Sequence, residues 1–308
     1  FDTATERAAP GDTALSLARG EGYLGFTRNG WPEALGVHIT SGKPEQLIVL
    51  PQPTYLPLVT AIATVAVVLA FLFKFYLLAI LVTVVIAGLF IYGGQSAGHT
   101  RDYGPLPIGR GISVPPHTEV AGTPPWMAMV CTLVADGTLF ASLVFGTFYL
   151  WLAAPNWPSA VAFNPNRILA LGVLAGLVVA AMAARRALRA LVAGGKPQGW
   201  IALAMLSLVL AIAAVVGLIG GVIPHPREHA LGATAAALLS YIAVHAGIGL
   251  LFLTSNLLRI RAGMVSALRH TDLRLTRLWL AFTAVTGAIA LALVLALPSL
   301  VSIMGAQA

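Results

Sequence analysis

The sequence predicts an all-α polytopic membrane protein whose seven transmembrane helices are arranged as two plus five. Three observations carry this reading. Of 308 residues, 58% are hydrophobic and only 9% are charged, a balance foreign to water-soluble globules. The apolar residues gather in seven stretches close to the ~20 residues that cross a hydrocarbon core about 30 Å thick. A Pro/Gly-rich break over residues 94–125 separates the first two stretches from the last five.

The elements follow in order. Residues 1–54 read as a polar cytoplasmic junction, rich in Gly, Pro and Thr, where no convincing helix or strand set is expected. The chain starts at Phe1 without a methionine or a signal peptide, so it reads as a fragment of something longer. Residues 55–93 hold a helical hairpin, about Tyr55–Phe73 and Phe75–Gly93, with only Lys74 between the spans to snorkel to the surface. Residues 94–125 are a cytoplasmic linker with Gly-Gly, Pro-Leu-Pro, Gly-Arg-Gly and Pro-Pro steps, a composition that excludes a helix. Residues 126–308 form a five-helix bundle with spans near Trp126–Ala153, Ile168–Ala184, Trp200–Ile223, His229–Asn256 and Leu278–Met304. Trp126, Tyr149 and Trp151 bracket the first of these, as interfacial aromatics do.

Charge placement sets an orientation. Fifteen of the eighteen Lys and Arg residues fall in the tail, the linker, the loop after Ala184 and the loop after Asn256. Only Lys74, Arg167 and Arg227 fall on the opposite side. The positive-inside rule then puts the N-terminus in the cytoplasm and the C-terminus outside. The net charge of +7 is thereby accounted for by topology, and nucleic acid is not expected as a partner. Small residues at four-residue spacing, Gly172, Gly176, Ala180 and Ala184, and again Gly232, Ala236 and Ser240, mark faces for close helix approach.

Few residues carry chemistry. Asp136 is the one carboxylate inside an apolar span, where an uncompensated charge costs several kcal/mol. His245 is the one histidine well inside another. Both fall about 5 Å to the cytoplasmic side of the midplane at 1.5 Å per residue, so a direct contact is geometrically open. Three readings remain: a structural hydrogen bond between helices, a proton-handling carboxylate, or two groups with separate partners. His99, Arg101 and His117 in the linker, and His225, Glu228 and His229 in a Pro-bounded turn, fit solvated loops better than a metal or anion site. The lone Cys131 excludes a disulfide framework. No haem, copper or other cofactor, no metal ligand set and no catalytic centre is expected within this stretch, and neither a phosphate loop nor a nucleophile–base set occurs.

The run Asp136-Gly-Thr-Leu-Phe-Ala-Ser-Leu-Val-Phe-Gly-Thr-Phe-Tyr-Leu-Trp151, followed by Ala154-Pro-Asn-Trp157-Pro, resembles the third helix of cytochrome c oxidase subunit III, with Asp136 at the position of that family's buried Glu. Tyr241 to Gly249 is similar to the family's Phe-His-Gly-Leu-His-Val-Ile-Ile-Gly segment. His245 and Gly249 match the second His and the final Gly, whereas Ile242 replaces the first His. The last span resembles the family's closing helix in outline, with Ala281 and Ala284 where His and Asp would stand. The two-plus-five arrangement fits the family too, and Trp31-Pro-Glu-Ala-Leu with Leu50-Pro-Gln-Pro resembles a junction behind a fused subunit I. The resemblance implies an accessory portion of a haem–copper terminal oxidase in a bacterial inner membrane. Its expected partners are catalytic subunit I, subunit II and membrane lipids. Its implied role is to stabilise the catalytic subunit and support cytoplasmic-side proton uptake, with haem and copper held elsewhere. The alternatives from the residues alone are a proton-coupled transporter built on Asp136 and His245, or a lipid-binding membrane assembly protein.

Overall fold

The structure, a computed structural model, describes residues 25–26, 32–49, 53–96, 102, 104–109, 112–116, 124–153, 165–222 and 229–305. Their order is β1 (Gly25–Phe26), β2 (Pro32–Val37), β3 (Pro44–Val49), α1 (Leu56–Leu72), α2 (Tyr76–Ser96), β4 (Leu106–Gly109), β5 (Ile112–Val114), α3 (Pro124–Ala153), α4 (Arg167–Val192), α5 (Gln198–Val222), α6 (Ala230–Arg261) and α7 (Thr271–Gly305). Among the described residues six helices, α2 to α7, are long and apolar enough to cross a membrane, which marks a multi-pass protein. The remaining helix, α1, is apolar but has 17 residues, at the lower limit for a span. Contacts divide the chain into two units, Phe1–Val120 with Leu258–Arg269, and Ala121–Leu257 with His270–Ala308.

In the first unit the expectation of a strandless tail is corrected. β2 and β3 pair antiparallel with Leu35 opposite Leu47, and β1 adds to the other edge of β2. The missed signal is a near-repeat, Pro32-Glu-Ala-Leu-Gly-Val37 and Pro44-Glu-Gln-Leu-Ile-Val49, around a turn closed at Gly42. Gly42 has φ 64°, a conformation that favours glycine. The Pro/Gly linker likewise holds a strand pair, β4–β5. Leu47, Ile108 and Val114 form a small shared core with Leu35 against it, and the Leu47 N–H donates to the Pro115 carbonyl at 3.0 Å. Asp102 ties this linker to the segment after α6: its N–H donates to the Gly263 carbonyl at 2.8 Å, and its carboxylate accepts from the Ser266 hydroxyl.

The α1–α2 hairpin turns as its sequence suggests. Lys74 N–H donates to the Phe71 carbonyl and Phe75 N–H to Ala70, the paired bonds of a Schellman closure. That closure requires a left-handed residue, and here it is Lys74, with φ 63°. The same closure ends α4 and α6, where glycines (Gly194 and Gly263) take the left-handed position.

The second unit is helical throughout its described length. α4 packs on α5 and α7, and α3 lies against α7. The small-residue ridge on α4 explains the closest approach. A Cβ on Gly176 would meet the Ser207 carbonyl oxygen at 2.8 Å and the Ala211 Cβ at 2.9 Å, and Ala180 and Ala184 are fully buried. Gly172, at the start of the expected ridge, faces open space. The second ridge also ends early, because Ser240 is exposed. Several helices outrun their predicted spans: α4 continues to Val192 and carries Arg185, Arg186 and Arg189, while α6 continues to Arg261 and α7 already includes Arg274 and Arg277. Hydropathy marks where hydrocarbon ends; Ala, Leu and Arg, all strong helix formers, let the helix run on.

Candidate functional site

Three helices of the second unit converge on Asp136. α3 is mostly exposed, with Phe140 and Thr147 its buried residues, and Asp136 lies one turn before Phe140 on the inward strip. α6 contributes Tyr241 and His245, four residues apart and therefore on one face. Both are buried, as is Trp279 of α7. The Asp136 side chain is 16% exposed and that of His245 is 7% exposed, so neither group reaches a water-like environment.

The hydrogen bonds meet at a single oxygen. His245 Nε2 lies 2.8 Å from Asp136 Oδ2, and the Tyr241 hydroxyl donates to the same oxygen at 2.6 Å. On the far side of the imidazole, Nδ1 lies 2.8 Å from the Tyr241 carbonyl oxygen. A carbonyl only accepts, so Nδ1 carries a hydrogen. A neutral His245 then presents a bare acceptor at Nε2, which cannot sit 2.8 Å from an ionised carboxylate without repulsion. One further proton must lie between Oδ2 and Nε2. The pair is either acid with neutral imidazole or carboxylate with imidazolium, and both states carry no net charge. That neutrality is how an apolar helix tolerates Asp136.

Aromatic rings hold the imidazole. The Trp279 indole is nearly parallel to it, at 4° with centroids 5.1 Å apart, and Tyr241 stacks on it at 3.8 Å. Trp279 Nε1–H donates to the His245 backbone carbonyl at 3.0 Å, so α7 fixes this turn of α6 directly. Phe140 packs on Tyr241 at 5.1 Å between centroids. Gly249 lets α7 approach here, since a Cβ would come within 2.6 Å of Leu280 Cδ2. A second polar link joins the same helices near their other end, where Asn256 Nδ2 donates to Thr276 Oγ1 at 2.8 Å. Other buried hydroxyls, such as Thr283 and Thr286, bond back to carbonyls of their own helix.

The structure thus brings Asp136 and His245 into direct contact, which leaves the reading of separate partners without support. Tyr241 and Trp279 are site residues that the sequence does not reveal, because an aromatic ring in an apolar span reads as core; the four-residue step from Tyr241 to His245 is the available signal. Asp136 and His245 do not make a metal site by themselves, and among the described residues no group of three or more His, Cys, Asp and Glu is arranged to hold one. His99, Arg101, His117, His225 and Glu228 lie outside the described residues, and His229 is exposed just before α6. What the arrangement can do chemically is hold one proton between two buried groups. No family model matches this chain, and no curated protein matches it.

Proposed function

We propose that this chain is a subunit III-like accessory portion of a haem–copper terminal oxidase, fused behind or bound beside catalytic subunit I. The observation that carries the reading is the Asp136–His245 contact at 2.8 Å, made by the two residues that correspond to the family's buried acid and second histidine. In this reading α1 counts as a span, giving seven helices as two plus five, with the N-terminus in the cytoplasm and the C-terminus outside. The basic residues gathered at one set of helix ends support that orientation. The chain stabilises the catalytic subunit, contacts subunit II and membrane lipids, and keeps a proton-holding pair on the cytoplasmic side of the membrane. Haem and copper belong to the catalytic portion.

The test is purification of the full-length protein from its native membrane through an affinity tag. The expected preparation shows haem absorbance and consumes oxygen with an added electron donor, and Asp136→Ala shortens the period over which turnover is sustained. A preparation without haem and without oxidase polypeptides overturns the proposal. If that same preparation drives proton-dependent uptake in liposomes, the transporter reading replaces it.

A further inference from the structure

α4 has 26 residues, so it is about 39 Å long and exceeds a 30 Å hydrocarbon core by about 9 Å. Its first residue, Arg167, stands at one end. Arg185 then lies about 27 Å along the axis and Arg189 about 33 Å along it, at 1.5 Å per residue. These depths span the boundary where hydrocarbon gives way to phosphate groups. The helix closes at Gly194, and Lys196 stands in the turn into α5. Arg185, Arg186, Arg189 and Lys196 are all exposed.

Two further observations make this more than an ordinary basic loop. Residues 137–227 contain no Asp or Glu, so neither α4 nor α5 supplies a counter-charge. Among the described residues no carboxylate pairs with Arg185, Arg189 or Lys196. Arg186 alone is engaged, with its guanidinium 5.0 Å from the centre of the Trp200 ring. Trp200, in the first turn of α5, is the kind of ring that settles at headgroup level. Ala184 and Ala187 on α4 and Ile201 and Ala204 on α5 are fully buried, which makes this end of the hairpin a fixed platform.

We infer that Arg185, Arg189 and Lys196 form a docking surface for anionic phospholipid headgroups in the leaflet that this end of α4 faces, with Arg186 and Trp200 setting its depth. Guanidinium groups match phosphate oxygens in charge and geometry, and three unpaired cations accept more than one headgroup. The inference depends on membrane insertion alone and stands apart from the oxidase reading.

The test uses the full-length protein, stripped of lipid in detergent and titrated with phosphatidylglycerol or phosphatidylcholine, with bound lipid counted by native mass spectrometry. Each basic residue near an anionic surface counts for about five-fold in affinity, so Arg185→Gln/Arg189→Gln/Lys196→Gln should lower phosphatidylglycerol binding at least about tenfold after screening. Phosphatidylcholine binding should be the same in both proteins. Arg167→Gln, at the opposite end of α4, should leave phosphatidylglycerol binding unchanged, and Arg185→Lys/Arg189→Lys should retain most of it. Equal phosphatidylglycerol binding by the triple variant and the wild type overturns the inference, as does equal affinity of the wild type for the two lipids.

Discussion

Replacing Asp136 by alanine removes the oxygen that accepts from the Tyr241 hydroxyl at 2.6 Å and faces His245 Nε2 at 2.8 Å. Two hydrogen bonds between α3 and α6 are lost, and two buried polar atoms are left without their partner. Bonds between membrane helices average about 0.6 kcal/mol and reach about 1.7. Two of them give about 1–3 kcal/mol, from which alanine's better helix propensity returns about 0.5 kcal/mol. Asp136→Asn is the informative contrast. Its amide nitrogen can donate one hydrogen to a neutral Nε2 and the other to the Tyr241 oxygen, so it reproduces the acid–imidazole state at little cost. It cannot reproduce carboxylate with imidazolium, because its amide is neutral: Oδ1 can turn to accept from Nε2–H and the Tyr241 hydroxyl, but the buried imidazolium is then left without a counter-charge. Unfolding of the purified protein by SDS in mixed micelles, followed by tryptophan fluorescence, reads both changes. Asp136→Ala is expected to lose about 1–3 kcal/mol. An asparagine loss below half of that identifies the shared proton as resting on Asp136, and an equal loss identifies the ionised pair. Wild-type stability in Asp136→Ala would refute the argument that these bonds join α3 to the bundle.

Four other substitutions test further parts of the structure. Trp279→Phe keeps an aromatic ring beside His245 but removes the 3.0 Å bond to its carbonyl, and should cost about 1 kcal/mol in the same unfolding assay. Gly176→Ala drives a Cβ to 2.8 Å from a backbone oxygen that cannot rotate away, and should destabilise by about 1–3 kcal/mol. Gly172→Ala, one turn earlier in open space, should instead stabilise by about 0.5–1 kcal/mol, so the two thermal midpoints should move in opposite directions. Lys74→Gly relieves a left-handed residue with φ 63° and should raise stability by up to about 1 kcal/mol; a lower midpoint would show that the snorkelling charge outweighs the backbone strain.

The apolar stretches alone determined that the chain crosses a membrane repeatedly, and their lengths placed each long helix to within a few residues at its apolar ends. This works because hydrocarbon admits only helices in such stretches, so composition and length suffice. The same reasoning misjudged helix ends beyond the hydrocarbon, as at α4, where Arg185 to Val192 remain helical. It also overlooked β2 and β3, whose stability comes from a Leu47 contact with Ile108 and Val114 some sixty residues away. In the site, the cost of burying Asp136 was legible, and the depth estimate made His245 a candidate partner. Which oxygen meets which nitrogen was decided only by the tertiary structure, because rotation of α3 and α6 about their axes is set by packing such as Phe140 on Tyr241. Likewise, the hydrogen on Nδ1 follows from the Tyr241 carbonyl lying 2.8 Å away, a fact of three-dimensional placement. Sequence sets the price of a buried charge; the fold decides which groups share the proton that cancels it.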